Sequence, residues 1–321
     1  MTGDDGITGP LKREKRVRIG PLEVGFAMGV QEAERVRRSA PYRYLVRPAL
    51  DWLGGKNDGS SLATVQAQAE RPLPSYDAPV SPEARAIIER ISGYEWYHTI
   101  ELPHGVTTPG YVDHRAQIPY YHLPADMRGM RVLDVATFDG FWAFEFERRG
   151  AEVVAIDIGS TRDADIPRNW LEEFDRLGLA QPKGEGFRIA SEILGSKVRK
   201  EILSVYDVSP ERLGMFDMVF CSDLLIHLRD PLRAIEAIWT VTRGFAIFAD
   251  VYNPELEAFP GRALLEFVHA GKSDMWWHPS VTCYKLWILL ARFSRVEEKA
   301  RFNLQSRFPH EITKVVLHAY R

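Results

Sequence analysis

From Met130 onward, short apolar runs alternate with stretches of helical period. RVLDV (131–135) is a β-branched run of the kind found in a strand buried on both faces. EVVAIDI (152–158), EILSVYDV (201–208), MFDMVFCSD (215–223) and FAIFADV (245–251) repeat that signal. Helical patterns separate them at 139–149, near 167–178 and 186–197, and from Pro231 to Val241, with another near 279–292. SRVEEKARF (294–302) and EITKVVLHAY (311–320) follow with only a short connection, which predicts an antiparallel hairpin rather than another crossover. The whole pattern predicts a doubly wound, mostly parallel seven-stranded α/β sheet with right-handed crossovers.

The first 82 residues read differently. Residues 1–53 are arginine-rich, with a helical pattern from about Met28 to Leu53 interrupted near Pro41 and Pro48. Residues 54–82 carry turn formers and four prolines without a clear period, as in a linker or a surface-hugging arm. Residues 1–82 are therefore expected to form a helical or irregular extension. Ser81-Pro82-Glu83 is a helix start, with serine as N-cap and proline at the first helical position. No internal repeat is visible.

Composition narrows the class. The chain has 321 residues, 45% hydrophobic and 26% charged, and no apolar run approaches the roughly 20 residues that span a bilayer. Its first twenty residues lack an apolar core of the secretory type, so a cytoplasmic protein is expected. Cys221 and Cys283 are too few for a disulfide scaffold or a cysteine zinc site. The histidines show no metal-binding spacing with an acid, so no metal is expected. Net charge is −3, unevenly spread: residues 1–50 hold ten Lys/Arg against six Asp/Glu, and the rest 31 against 38. Binding to nucleic acid draws on a basic face, and only the first fifty residues offer one.

The most informative segment is VLDVATFDGFWAFEFERRGAEVVAID (132–157). A strand ends in Asp134, a loop runs through Ala136, Thr137, Phe138 and Asp139, Gly140 opens a helix, and a second strand ends in Asp157 and Ile158. This is the pattern of a nucleoside-binding βαβ unit, in which the second carboxylate accepts hydrogen bonds from ribose hydroxyls. Phe138 would obstruct a diphosphate and Asp139 would repel one. An acidic loop suits a cation, and S-adenosyl-L-methionine carries a sulfonium and an ammonium that Asp134 and Asp139 can neutralise.

These residues resemble class I (Rossmann-like) methyltransferases dependent on S-adenosylmethionine. Of the three glycines in that family's Asp-x-Gly-x-Gly-x-Gly motif only Gly140 remains, with Ala136 and Phe138 at the other two positions. A closer similarity is to the branch holding the tRNA wobble-uridine (5-oxyacetyl-type) methyltransferases and bacterial small-molecule relatives. It rests on WYHTIELPHGVTTPG (96–110), FDGFWAFEFERRGA (138–151), SVYDVSPERLGMFDMVFCSDLLIHLRDP (204–231) and MWWHP (275–279). The resemblance implies a sheet domain over 129–321 and a lid or substrate-binding segment over 83–128. It places Tyr206, Asp207 and Val208 at the adenine, and Ser222 and Asp223 facing the methyl group. It also makes Trp96, Tyr97, His98, Trp276 and Trp277 candidate substrate contacts.

His227 and His98 are candidate general bases toward a hydroxyl. The expected activity is O-methylation of a small molecule such as a secondary metabolite or a sugar-containing acceptor, with the oligomeric state open. A tRNA-modifying methyl- or carboxymethyltransferase is the second reading, and a non-catalytic cofactor-binding scaffold the third. In the carboxymethyl-transferring enzymes a lysine and a tyrosine stand where this chain has His98 and Ile226, so the plain methyl donor is expected. Lys314 on the final strand is the remaining cation considered there.

Overall fold

The computed structural model describes residues 13–19, 22–28, 81–166, 168–176, 181–268, 275–304, 306 and 312–321. The chain divides into two units, Met1–Gln66 and Ala67–Arg321. In the first, β1 (Arg13–Ile19) pairs antiparallel with β2 (Leu22–Met28), in register from Arg13↔Met28 to Ile19↔Leu22. This hairpin departs from the helical or irregular extension expected there. The alternation Leu22, Val24, Phe26, Met28 is the period-two signal of a strand. The helix expected from Met28 to Leu53 lies outside the described residues, except for Met28, which ends β2.

The second unit opens with α1 (Pro82–Ile91), capped as expected: the Ser81 hydroxyl accepts from the Ala84 N–H at 3.1 Å. A segment of short 3-10 turns and isolated bridges follows to residue 130. The alternating part then runs β3 (Arg131–Val135), α2 (Phe141–Arg148), β4 (Glu152–Asp157), α3 (Arg168–Arg176), α4 (Glu185–Leu194) and β5 (Arg199–Ile202). It continues with β6 (Phe216–Ser222), α5 (Pro231–Val241) and β7 (Thr242–Val251). A small antiparallel pair, β8 (Leu265–Phe267) and β9 (Trp277–Pro279), precedes α6 (Val281–Leu290). β10 (Arg295–Asn303) and β11 (Thr313–Tyr320) end the chain.

The main sheet has the order β10-β11-β7-β6-β3-β4-β5. β5, β4, β3, β6 and β7 are mutually parallel, and β11 runs antiparallel between β7 and β10. This is the doubly wound, mostly parallel seven-stranded sheet that the sequence pattern predicts. Successive residues of one strand enter opposite cores. Leu133, Val219, Cys221 and Phe248 pack with Ile235, Ile238, Tyr284 and Ile288 of α5 and α6. Val132, Phe220 and Ile247 pack with Phe141, Phe146, Phe187, Trp96 and Tyr121 on the other face. Both cysteines are buried and free. No helix among the described residues is long and apolar enough to cross a membrane.

The third strand departs from expectation. It covers Arg199–Ile202, and the predicted continuation is a 3-10 turn, Val205–Asp207, in which the Ser204 hydroxyl accepts from the Tyr206 N–H. The chain turns as soon as it clears the sheet edge. What positions a site is the centre of the sheet. From β3 the chain winds outward through β4 and β5, then returns to β6 and continues in the other direction. A crevice opens above the carboxyl ends of adjacent strands at such a switch point.

Candidate active site

The loop after β3 keeps an unusual backbone. Ala136, Phe138 and Gly140 all have positive φ, at 61°, 51° and 94°. These are the positions that align with the three glycines of the motif the sequence resembles, and the backbone is left-handed at each although two of them carry side chains. Each non-glycine residue there costs roughly 1 kcal/mol or more, and strain of this kind collects at functional sites. The Thr137 N–H donates to the Ile156 carbonyl and the Phe138 N–H to Asp157 Oδ2, at 3.0 Å each. The loop is thereby tied to the end of β4.

Asp157 is 4% exposed. Besides the Phe138 amide, its carboxylate accepts from the Ile158 N–H at 2.8 Å and pairs with Lys183 Nζ at 3.1 Å. The Lys183 ammonium also lies 4.5 Å from the Phe138 ring centroid. Asp134 lies inside. It is 2% exposed, and Oδ2 has no hydrogen-bond partner among the described residues. Burial pushes its pKa up to about 7, and the Asp157 charge adds to the rise. Its expected role as a direct neutraliser of a cationic ligand gives way to an interior one.

Asp139 also turns inward, at 0% exposure. Its Oδ2 accepts from the backbone N–H groups of Tyr97 (2.7 Å) and His98 (3.0 Å), and Oδ1 accepts from the Tyr94 hydroxyl (3.2 Å). It therefore binds the segment before the sheet to the loop, not a ligand. That tether sets His98 against Phe141, with stacked rings 5.8 Å apart. Burial, with the Lys314 charge second, drives the His98 pKa down to about 3. Its Nδ1 stands 3.9 Å from Asp139 Oδ2, but the ring is neutral at neutral pH, so this is not an ion pair. His98 is therefore a poor proton acceptor, contrary to its expected role as a base. Trp96 is 1% exposed and donates its indole N–H to the Ile91 carbonyl. It is a core residue with no face for a substrate. Tyr97 is half-buried, its ring 5.2 Å from that of Phe138.

At the end of β6, Ser222 and Asp223 meet a residue from the far side of the sheet. Lys314 of β11, fully buried, places Nζ 2.5 Å from Asp223 Oδ2 and 2.9 Å from Ser222 Oγ. The Ser222 hydroxyl also donates to Asp223 Oδ2 at 3.0 Å. Asp223 has a left-handed backbone, φ 54°. Beneath lie His114 and Tyr121, joined by a 3.2 Å hydrogen bond between the phenol and Nδ1. Burial, then the Lys314 charge, holds the His114 pKa well below the usual range. Asp250 accepts the Leu224 and Leu225 amides and fixes the turn that carries His227. Burial, then the Asp223 charge, raises the Asp250 pKa to about 6. His227 itself is half-buried at the end of that turn.

A third group of residues forms a rim. Asp165 Oδ2 accepts from the Tyr206 hydroxyl at 2.6 Å and the Arg229 N–H at 2.8 Å, and its carbonyl accepts from the Trp276 indole at 2.6 Å. The Trp277 indole donates to the Leu228 carbonyl. Trp276 and Trp277 are half-buried with centroids 6.5 Å apart, so both keep ring surface available. Asp207 is exposed, whereas Val208 joins the core at 4% exposure and offers no face to an adenine. Sequence reasoning missed Asp165, Lys183, His114 and Tyr121. Among the described residues no group of three or more His, Cys, Asp or Glu forms a metal cluster.

No family model matches the chain. Among proteins of known name it is similar to the ubiquinone biosynthesis O-methyltransferase of Xylella fastidiosa (strain M23), 28% identical over 159 residues, covering 49% of this chain and 56% of that protein. The Acinetobacter baylyi enzyme of the same name is 27% identical over 136 residues, covering 41% and 49%. The chain thus spans about half the length of the relatives it matches. Among solved structures it is similar to the N-terminal domain of EvdMO1 in the presence of SAH and D-fucose. There the TM-score is 0.48 and the identity 16%, covering 75% of this chain and 97% of that one. The Burkholderia thailandensis 1,6-didemethyltoxoflavin-N1-methyltransferase gives a TM-score of 0.39 at 14% identity, covering 98% of both chains.

Proposed function

We propose that the chain is an S-adenosylmethionine-dependent methyltransferase that methylates an oxygen of a small molecule. The observation that carries this reading is the pairing of the Ala136–Gly140 loop with Asp157 at adjacent strand ends. The loop keeps positive φ at all three motif positions and is held to the Asp157 carboxylate by the Phe138 amide. Asp157 takes the ribose, and the loop lies along the rest of the cofactor toward β6. The residues present suit S-adenosylmethionine. Ile158, Tyr206 and Asp207 border the nucleoside end, and Ser222 and Asp223 border the sulfonium end. The donor supplies an activated methyl group, and the protein's part is to align the acceptor with it and keep water out. Similarity to enzymes named for O-methylation in ubiquinone biosynthesis supports oxygen as the acceptor atom.

Tyr97, Trp276 and Trp277 form the acceptor walls, and residues 83–128 close the site from the side of α1. The Lys314 charge is engaged by Asp223, and Ile226 is 3% exposed. This favours plain methyl over a carboxylated donor, whose extra carboxylate needs a free cation. The acidic balance beyond residue 50 favours a small acceptor over tRNA. Calorimetry with S-adenosylhomocysteine tests the cofactor, with saturable one-site binding expected. Turnover of labelled S-adenosylmethionine with small hydroxylated metabolites, and separately with total tRNA, tests the acceptor. The expected product gains one CH₂ unit. Labelling of tRNA alone would overturn the acceptor class, and absence of binding would overturn the cofactor.

A further inference from the structure

Asp223 combines three features that ordinary stability does not favour. It holds a left-handed backbone without being glycine, φ 54°. Its counter-ion, Lys314, is 0% exposed and is the one lysine or arginine fully buried among the described residues. Both donors that reach its side chain, Lys314 Nζ and Ser222 Oγ, converge on Oδ2. Among the described residues no hydrogen bond reaches Oδ1, and the side chain keeps 19% exposure. One carboxylate oxygen is thus anchored in the protein and the other is left without a protein donor.

The position of this oxygen follows from the sheet. β3 and β6 are neighbours, with Val135 paired to Cys221, so the loop starting at Ala136 and the turn at Ser222–Asp223 leave the sheet side by side. A nucleoside whose ribose sits on Asp157, at the end of β4, crosses the β3 loop and ends at β6. The group at that end is the sulfonium. On the lid side His98 is buried, neutral and weakly basic. His227, the other candidate base, comes only at the end of the turn Leu225–His227, whereas Asp223 stands directly at the end of β6 and is anchored there by Lys314.

We propose that Asp223 Oδ1 receives the acceptor's proton in the methyl transfer, an assignment that rests on the methyltransferase reading above. The acceptor oxygen attacks the methyl carbon, the carbon–sulfur bond breaks toward sulfur, and the O–H proton passes to Oδ1. The products are the methyl ether, S-adenosylhomocysteine and a protonated Asp223, which returns its proton to solvent. The hydroxyl proton becomes strongly acidic as the new carbon–oxygen bond forms, so a carboxylate is a sufficient acceptor at that moment. Lys314 and Ser222 hold Oδ2, so the carboxylate keeps one orientation through the transfer.

The test needs no knowledge of the acceptor. Sinefungin replaces the sulfonium methyl with an amine at the same place, so its ammonium points where the methyl would leave. A charge-assisted hydrogen bond to Oδ1 makes sinefungin bind the full chain about 10-fold or more tighter than S-adenosylhomocysteine, read by calorimetry. Asp223→Asn abolishes that preference, bringing the ratio of the two affinities to about one. Wild-type protein that binds both ligands equally, or a folded variant that keeps the preference, overturns the assignment. The wild-type ratio decides even where the variant does not fold. Wild-type protein that fails to bind S-adenosylhomocysteine at all refutes the cofactor reading itself, an outcome separate from these.

Discussion

The backbone N–H of His98 donates to Asp139 Oδ2 at 3.0 Å while the ring of the same histidine stays 3.9 Å from that oxygen and uncharged. The carboxylate therefore holds the segment by its main chain, through Tyr97 and His98 together. An aspartate that looks from its loop like a ligand group is instead the clasp between the segment before the sheet and the sheet itself.

Replacing Asp139 separates clasp from charge. Burial raises its pKa to about 6, so holding the charge inside the protein costs more than it does in water. Asp139→Asn keeps an oxygen for the two amides and should leave stability nearly unchanged at neutral pH. Asp139→Ala strands two amide donors, besides releasing the half-buried Tyr94 hydroxyl, and should cost about 2–6 kcal/mol, since each unsatisfied buried group costs roughly 1–3. Urea denaturation of both variants checks this; equal losses would show that charge, not hydrogen bonding, is what matters.

Asp134 and His98 should give opposite pH signatures. The Asp134 pKa is raised from 3.8 to about 7, so its stabilising protonated form is complete below about pH 3.8 and lost as pH rises through 7. The His98 pKa is lowered from 6.5 to about 3, so its contribution is complete above pH 6.5 and lost as pH falls toward 3. Relative to wild type, Asp134→Asn should gain about 2 kcal/mol between pH 5 and 8, and His98→Gln should gain about as much in the reverse direction. Urea midpoints at pH 5, 6.5 and 8 measure both. Parallel curves for variant and wild type would refute the buried-group account.

Much of the fold is legible because buried parallel strands are apolar throughout. β3, β4, β6 and β7 fall on the runs that announce them, within a few residues at the ends. The third strand is the exception, since Arg199-Lys200-Glu201-Ile202 is a charged edge strand with no apolar signal. The apolar residues after it belong to a turn packed on the core. The site is legible only in part, for the same physical reason. Spacing reports neighbours along the chain, as for Asp134, Gly140 and Asp157. Asp139 bonds Tyr97 and His98 across more than 40 positions, and Lys314 reaches Asp223 across 91. Partnerships of that range come from sheet order, with β11 inserted between β7 and β10, and no local pattern encodes them.

Asp157→Ala should weaken S-adenosylhomocysteine binding about 10- to 100-fold, because hydrogen bonds to a charged group contribute about 1.5–3 kcal/mol. The same carboxylate holds the Phe138 amide, so some of the loss comes from a loosened loop. Calorimetry on the folded variant decides. Unchanged affinity would remove the ribose from Asp157.

The loop's backbone predicts an asymmetry between two of its motif positions. Gly140 sits at φ 94°, and a Cβ there would lie 2.6 Å from Phe144 Cε2 and 2.7 Å from Phe187 Cδ2. Both rings are buried and pack on each other at 5.1 Å, so neither has room to retreat. Gly140→Ala should therefore combine backbone strain with overpacking and lose about 2–4 kcal/mol. Ala136, at φ 61°, already carries its Cβ in the left-handed region. Ala136→Gly relieves that strain but gives the unfolded chain more freedom, two effects of about 0.5–1 kcal/mol with opposite sign. Its stability should stay within about 0.5 kcal/mol of wild type. Thermal denaturation of the two variants, with S-adenosylhomocysteine titrations on each, measures the contrast. If Gly140→Ala were as stable as Ala136→Gly, the conformation of the loop would not be what the fold requires at this crossing.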